Sequence, residues 1–201
     1  AMPATSEIER RDRALVAFTL LTAARDGAIA SIKLKHVNFA ENCMYQDGRD
    51  VDTKFGKSFP TFLMPVGDEI RDIVVEWISY LRNEKGWGDN DPLFPRTRRV
   101  QGKSALFETA GVERGHWATA SPIRDIFRKA FNKAGVEYFN PHSLRHALGG
   151  WTMRLNPTVE ELKAVSQNLG HKNLAVTLLN YCHVPVQRQG ELMRGLTARS
   201  K

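Results

Sequence analysis

Residues 140–146 read Asn140-Pro141-His142-Ser143-Leu144-Arg145-His146, and the rest of the chain is understood outward from them. Asn is a strong helix N-cap, and Pro at the first helical position has its φ pre-set and no N–H to leave unpaired, so a helix is expected to begin just before His142. His142 then lies in the first turn, where free N–H groups and the helix dipole favour an anion. Arg145, three residues on, shares its face, so an imidazole and a guanidinium converge on one ligand. A phosphate is the natural occupant. Alone, a His-x-x-Arg is ordinarily a solvated pair, so its weight depends on what accompanies it.

Downstream, Asn156-Pro157 repeats the Asn-Pro device and is expected to open a helix to Leu169, closed by Gly170, with His171 directly after. A helix over about Asn173–Asn180 leads into Tyr181, and Val186–Leu196 reads as a short terminal helix. Upstream, Ser121-Pro122 caps a helix to about Lys133, with Ile123, Ile126, Phe127, Ala130 and Phe131 on one face. Asp68–Asn83 has Ile70, Ile73, Val74, Trp77, Ile78 and Leu81 at helical spacing, with Trp77 in the core and Gly86-Trp87-Gly88 as the stop. Ser6-Glu-Ile-Glu9 has capping-box form ahead of a helix to about Ala24, and a short helical segment is expected over Ala28–Lys35.

Three strand candidates, Asn42–Gln46, Arg49–Lys54 and Ser58–Met64, are separated by the turn signals Asp47-Gly48 and Phe55-Gly56-Lys57. From Gly86 to Ala120 the only hint of a period is near Ala105–Ala110, so a long irregular, functional or mobile loop is expected. The fold class is mainly α with a small antiparallel three-stranded sheet (α+β), in a single domain over residues 1–201.

With 201 residues, 42% of them hydrophobic, the chain can bury one substantial core. No run approaches the ~18 apolar residues of a membrane span, and no secretory pattern follows Met2, so the chain reads as cytoplasmic. Ala1 ahead of Met2 suggests an excised domain. Cys43 and Cys182 have no metal-ligand spacing and are expected to be small, mostly buried hydrophobes. The net charge of +7 is lopsided: residues 121–201 carry 12 Lys/Arg against 5 Asp/Glu, while residues 1–120 carry 17 of each. Such a balance favours a polyanion through counterion release, and a solvated basic surface would look the same. Asp47-Gly-Arg-Asp50-Val-Asp52 lacks the spacing and glutamate of a calcium loop, and no His-Glu-x-x-His or cysteine pairs occur, so no metal or other cofactor is expected.

His142-Ser-Leu-Arg145, Leu169-Gly170-His171 and Tyr181-Cys-His-Val184 together resemble the signature of the tyrosine recombinase, or phage integrase, family. The likeness extends upstream. Thr22-Ala-Ala-Arg25 resembles the family's first arginine box, the run from Ala28 to Asn38 matches the helix and the first strand after it, and Thr53-Lys54-Phe-Gly-Lys57 resembles the hairpin bearing its lysine. Asp91-Pro-Leu-Phe-Pro95 is similar to a short motif that precedes a variable segment in many integrases. The chain departs from the family in three places: Ala28 where an acidic residue is common, a ten-residue interval from His171 to Tyr181, and a less basic hairpin.

The resemblance implies the catalytic-domain fold of DNA breaking and rejoining enzymes, with a helical core-binding domain absent from this chain. It implies double-stranded DNA as partner and a homo-oligomer, a tetramer, on that DNA, the last helix packing in cis or on a neighbour. Tyr181 would be the nucleophile, giving a 3′-phosphotyrosyl link. A phenol of pKa near ~10 must lose its proton as it attacks, which His142 can assist. Arg25 and Arg145 would hold the phosphoryl oxygens, His171 would hydrogen-bond the phosphate, and Lys54, placed better than Lys57, would protonate the leaving 5′-oxygen. The remaining histidines, His36, His116, His146 and His183, are expected at surface, packing or DNA-backbone positions, and Arg96, Arg98, Arg99 and Lys103 in the solvated loop. A site-specific recombinase is expected; the alternatives are a type IB topoisomerase-like relaxing enzyme and a DNA-binding module that has lost cleavage.

Overall fold

The structure is a computed structural model that describes residues 2–101 and 107–196. Helix α1 (Glu7–Thr22) begins with a closed capping box: the Ser6 hydroxyl accepts from the Glu9 N–H at 3.2 Å, and the Glu9 carboxylate accepts from the Ser6 N–H at 3.1 Å. Its last turn ends at Ala23 in the left-handed region (φ 50°), which turns the chain directly into helix α2 (Asp26–Ser31), with Arg25 at its start. The short helix therefore begins two residues earlier than expected and stops before Lys35. Leu34–His36 form a separate 3-10 turn.

The sheet has the expected three antiparallel strands, β1 (Val37–Asn38), β2 (Cys43–Gln46) and β3 (Phe59–Phe62), in that order. Val37 pairs with Met44, and Gln46 pairs with Phe59. Its membership corrects the sequence expectation, because Arg49–Lys54 is not a strand and Val37–Asn38 supplies the third. The reason is local. Asp47 accepts from the Arg49 N–H at 3.0 Å and grips its guanidinium, while Asp50 is held by Lys33 and Lys35, each at 2.6 Å. These side chains satisfy the backbone in turns that a ladder would have to break.

Helix α3 (Asp68–Ser79) continues through a π-helical turn, Tyr80–Glu84, and buries Val74 and Trp77 against α1. The Trp77 indole donates to the Leu93 carbonyl at 2.8 Å. Part of the expected irregular stretch forms instead a second sheet of two antiparallel strands, β4 (Thr97–Gln101) and β5 (Phe107–Val112), while 86–96 and 113–120 carry no helix or strand. Arg98 and Arg99 lie exposed on β4, whereas Lys103 and the start of the Ala105–Ala110 stretch fall outside the described residues. The hairpin is anchored by α1. Glu7 accepts from the Val112 N–H at 2.7 Å, and the buried Arg11 donates to the Pro95 carbonyl and Thr97 hydroxyl.

Four helices follow before the last: α4 (Ser121–Ala134), α5 (Pro141–Arg154), α6 (Val159–Asn168) and α7 (Leu174–Tyr181). Asn140 caps α5 as expected, its side chain accepting from the Ser143 N–H at 2.9 Å. Two other capping expectations are corrected. Ser121 is itself the first residue of α4 and Ala120 precedes it, and α6 is capped by Thr158 in a box with Glu161, not by Asn156, whose φ of 53° ends the preceding chain. Helix α8 (Val186–Leu196) buries none of its residues. Cys43 is buried as expected, but Cys182 is exposed. Behind the polar groups described below, Ala23, Met64, Leu148 and Leu169 form a small separate core that locks the ends of α1, β3 and α6 onto α5. No helix among the described residues is long and apolar enough to cross a membrane.

Candidate active site

His142, Arg145, His146 and Gly149 stand at i, i+3, i+4 and i+7 of α5, a single stripe along the helix. Arg145 is 4% exposed. Its guanidinium donates to the Ala23 carbonyl at 2.8 Å and to the Leu169 carbonyl, the C-cap residues of α1 and α6. The negative ends of two helix dipoles thus favour its charge. Burial, and then the charge of Arg25, still lower its pKa to about 10, with Tyr181 opposing. It stays a cation at neutral pH.

Arg25 reaches the same region from the start of α2. Burial lowers its pKa and Tyr181 raises it. Arg25, Arg124, Asn140, His142 and Arg145 line a cleft of about 410 Å³, whose acidic residue, Asp26, is engaged by Arg124 at 2.9 Å. The cleft is therefore an anion site in its net charge. The His142 Nε2 lies 2.9 Å from the His146 Nε2. Partial burial, His146, Arg145 and Arg25 keep the His142 imidazole below its ordinary pKa, against Asp26, so it is neutral and basic at physiological pH.

Gly170 takes φ 62°, and the Phe59 ring covers it so closely that a Cβ would meet the ring at 2.5 Å. This turn sets His171 down beside α7, its Nδ1 2.7 Å from the buried Thr177 hydroxyl. Burial, then Arg145, Arg25 and His146, push its pKa down to about 4. Tyr181, the last residue of α7, stacks on His171 at 5.9 Å between ring centroids and meets the edge of His146 at 5.5 Å. Its ring rests on Gly149. Lys54 and Lys57 line a second small cleft, of about 110 Å³, together with Arg25 and His171. Arg25 joins the two clefts, so all six residues singled out in the sequence share one neighbourhood, and both lysines remain at hand.

A model of the phage integrase family matches residues 1–188. The chain belongs to the phage integrase family. Its members, the tyrosine recombinases, are DNA breaking and rejoining enzymes of site-specific recombination, and the chain is of the catalytic-domain type. Tyrosine recombinase XerC of Corynebacterium efficiens is 27% identical over 190 residues, covering 94% of this chain and 52% of that protein. XerC of Actinobacillus succinogenes is 27% identical over 178 residues, covering 88% and 50%. This chain spans about half the length of the curated relatives it matches. Among solved structures, a XerH site-specific recombinase in a post-cleavage complex with palindromic difH substrate superposes with a TM-score of 0.62 at 19% identity, over 96% of this chain and 47% of that one. XerA recombinase gives 0.58 at 20% identity, over 100% and 64%. Both likenesses bear on the fold.

Sequence reasoning gave no site role to three residues of this cluster. His146, expected at a surface, packing or DNA-backbone position, is indeed exposed, and its ring packs on both His142 and Tyr181, which ties it to the site. The signal was its place four residues after His142. Gly149 extends the same stripe and was legible by the same spacing. Thr177, which sets the His171 ring, carried no signal beyond its interval from His171.

Proposed function

We propose that this chain is the catalytic domain of a site-specific DNA recombinase in which Tyr181 attacks the scissile phosphodiester. The observation that carries this is the position of the phenol, between the His146 and His171 rings and within the field of Arg25 and Arg145. The Tyr181 oxygen bonds to phosphorus as the phosphorus–O5′ bond breaks. The phenolic proton passes to neutral His142, and Lys54 protonates the departing 5′-oxygen. Arg25 and Arg145 take the charge that grows on the non-bridging oxygens, the role for which planar, permanently charged groups suit best. In the tautomer whose Nδ1 accepts from the Thr177 hydroxyl, His171 presents Nε2–H to the phosphate.

The 3′-phosphotyrosyl link conserves the bond energy, so a second DNA 5′-hydroxyl reverses the reaction with no need of ATP or a metal. Double-stranded DNA is the substrate, and the unburied apolar side of α8, with Val186, Met193 and Leu196, supports assembly of copies on it. The test is a nicked suicide duplex incubated with wild-type protein and with Tyr181→Phe. A covalent adduct from the wild type alone is expected. An adduct from Tyr181→Phe overturns the nucleophile assignment, and relaxation of supercoils by a monomer would favour topoisomerase-like chemistry.

A further inference from the structure

Phe55 is the feature that the catalytic assignments leave unused. It is 81% exposed and has φ 67° and ψ 25°, a left-handed conformation that a bulky side chain adopts only at a cost. Gly56 follows at φ 61°. Two consecutive left-handed residues make the geometry in which Asn-Gly is favoured, and here the first position carries a phenyl ring. The surroundings hold the turn in this shape. The Thr53 hydroxyl donates to the Lys57 carbonyl at 2.7 Å, and the Gly48 N–H donates to the Ser58 hydroxyl at 2.9 Å. Gly48 packs so tightly on Gly56 that a Cβ there would fall 2.1 Å from its carbonyl oxygen.

The ring lines the small cleft with Arg25, Lys54, Lys57, His171 and Lys172, among which there is no acidic residue. In the free protein its face carries the Lys54 ammonium at 5.2 Å. An apolar plane on a braced turn, exposed and surrounded by cations, fits a partner that is itself polyanionic and offers apolar stacking surface. That combination is the chemistry of a DNA strand, with charged phosphates flanking sugars and base faces.

We propose that Phe55 is a DNA-contact residue whose ring packs against the sugar or base step beside the phosphate held in the site, and that the strained turn exists to present it. The proposal rests on the DNA-cleavage reading above, and its test separates the two. Phe55→Asn and Phe55→Gly suit the left-handed position better than Phe, so both should melt higher, by about 2 °C. Both should nevertheless bind a mixed-sequence duplex at low salt about tenfold more weakly, the loss of one stacking contact. Because no cation is removed, the dependence of log affinity on log salt should keep its slope, whereas Lys54→Ala should reduce it by about one unit.

Affinity within twofold of wild type in both Phe55 variants would overturn the contact. A reduced salt slope in them would also overturn it, since the ring would then act only by placing Lys54. If the Phe55 variants bind weakly yet still form some adduct on a suicide duplex, and Tyr181→Phe forms none, both assignments stand. Wild-type protein that neither binds duplex nor forms an adduct would overturn both.

Discussion

The Tyr181 ring lies face-on against the Cα of Gly149, so that a Cβ built there would meet its Cζ, Cε1 and Cε2 atoms at 2.7 to 2.8 Å. Only glycine at this position of α5 leaves the phenol where His146 and His171 can touch it. Gly149→Ala should fold, since alanine favours a helix interior, yet it should displace the ring by about an ångström and slow adduct formation on the order of a hundredfold. Gly150→Ala, whose Cβ would meet nothing within 4 Å, is the control and should form adduct at the wild-type rate.

Arg145 serves the fold as well as its proposed phosphate contact. Arg145→Ala leaves the Ala23 and Leu169 carbonyls without their donors in a buried site, and should cost about 2–4 kcal/mol of stability by urea unfolding. Arg145→Lys keeps a charge but not the planar fork. It should recover part of that stability while leaving cleavage at least about tenfold slower than wild type, because three donors on a single nitrogen cannot span the two carbonyls and a phosphate as the planar five-donor fork does.

The depressed histidines fix the sign of the pH dependence. His171 titrates at about 4 in the folded chain, against ~6.5 for an unfolded histidine. Between those values the unfolded chain binds a proton that the folded chain refuses. Its contribution to stability is therefore complete above ~6.5 and is lost as pH falls towards 4. Urea midpoints measured across this window should fall more steeply with acidity for wild type than for His171→Gln. Since His142 is lowered as well, the acid limb of cleavage should sit below the ordinary histidine range.

The two lysines of the hairpin can be told apart by the leaving group. If Lys54 supplies the proton to the 5′-oxygen, Lys54→Ala should lose most cleavage of an ordinary duplex. It should regain it on a duplex with sulfur at the bridging 5′ position, because a thiolate leaves without a proton. Rescue of Lys57→Ala instead would move the role to Lys57.

Much of this architecture was written in short-range chemistry. Asn140 before Pro141 and Ser6 before Glu9 specify helix starts through bonds that span three residues, and both starts are where the sequence puts them. The three groups of the signature converge because Arg145 ties together the helix ends that precede Arg25 and His171, a long-range consequence that motif order alone implied only by resemblance. What escaped was decided at a distance or by competition. Strands β4 and β5 are mostly exposed, with no apolar alternation to betray them, and Glu7 and Arg11 from α1 hold them. Arg49–Lys54 has the residues of a strand, but Lys33 and Lys35 claim Asp50 first. The Asn156-Pro157 pair was a sound signal that lost to the stronger box at Thr158 and Glu161.

Arg25 and Arg145 stand in one half-buried cleft, and among the described residues no carboxylate pairs with either. The free protein thus carries an electrostatic debt in its own interior, which the phosphate of the proposed substrate would discharge. Recognition and folding are coupled through that repulsion: a duplex, or even a simple polyanion, should raise the melting temperature of this chain beyond what its surface charge alone would give, and Arg25→Gln should blunt the effect.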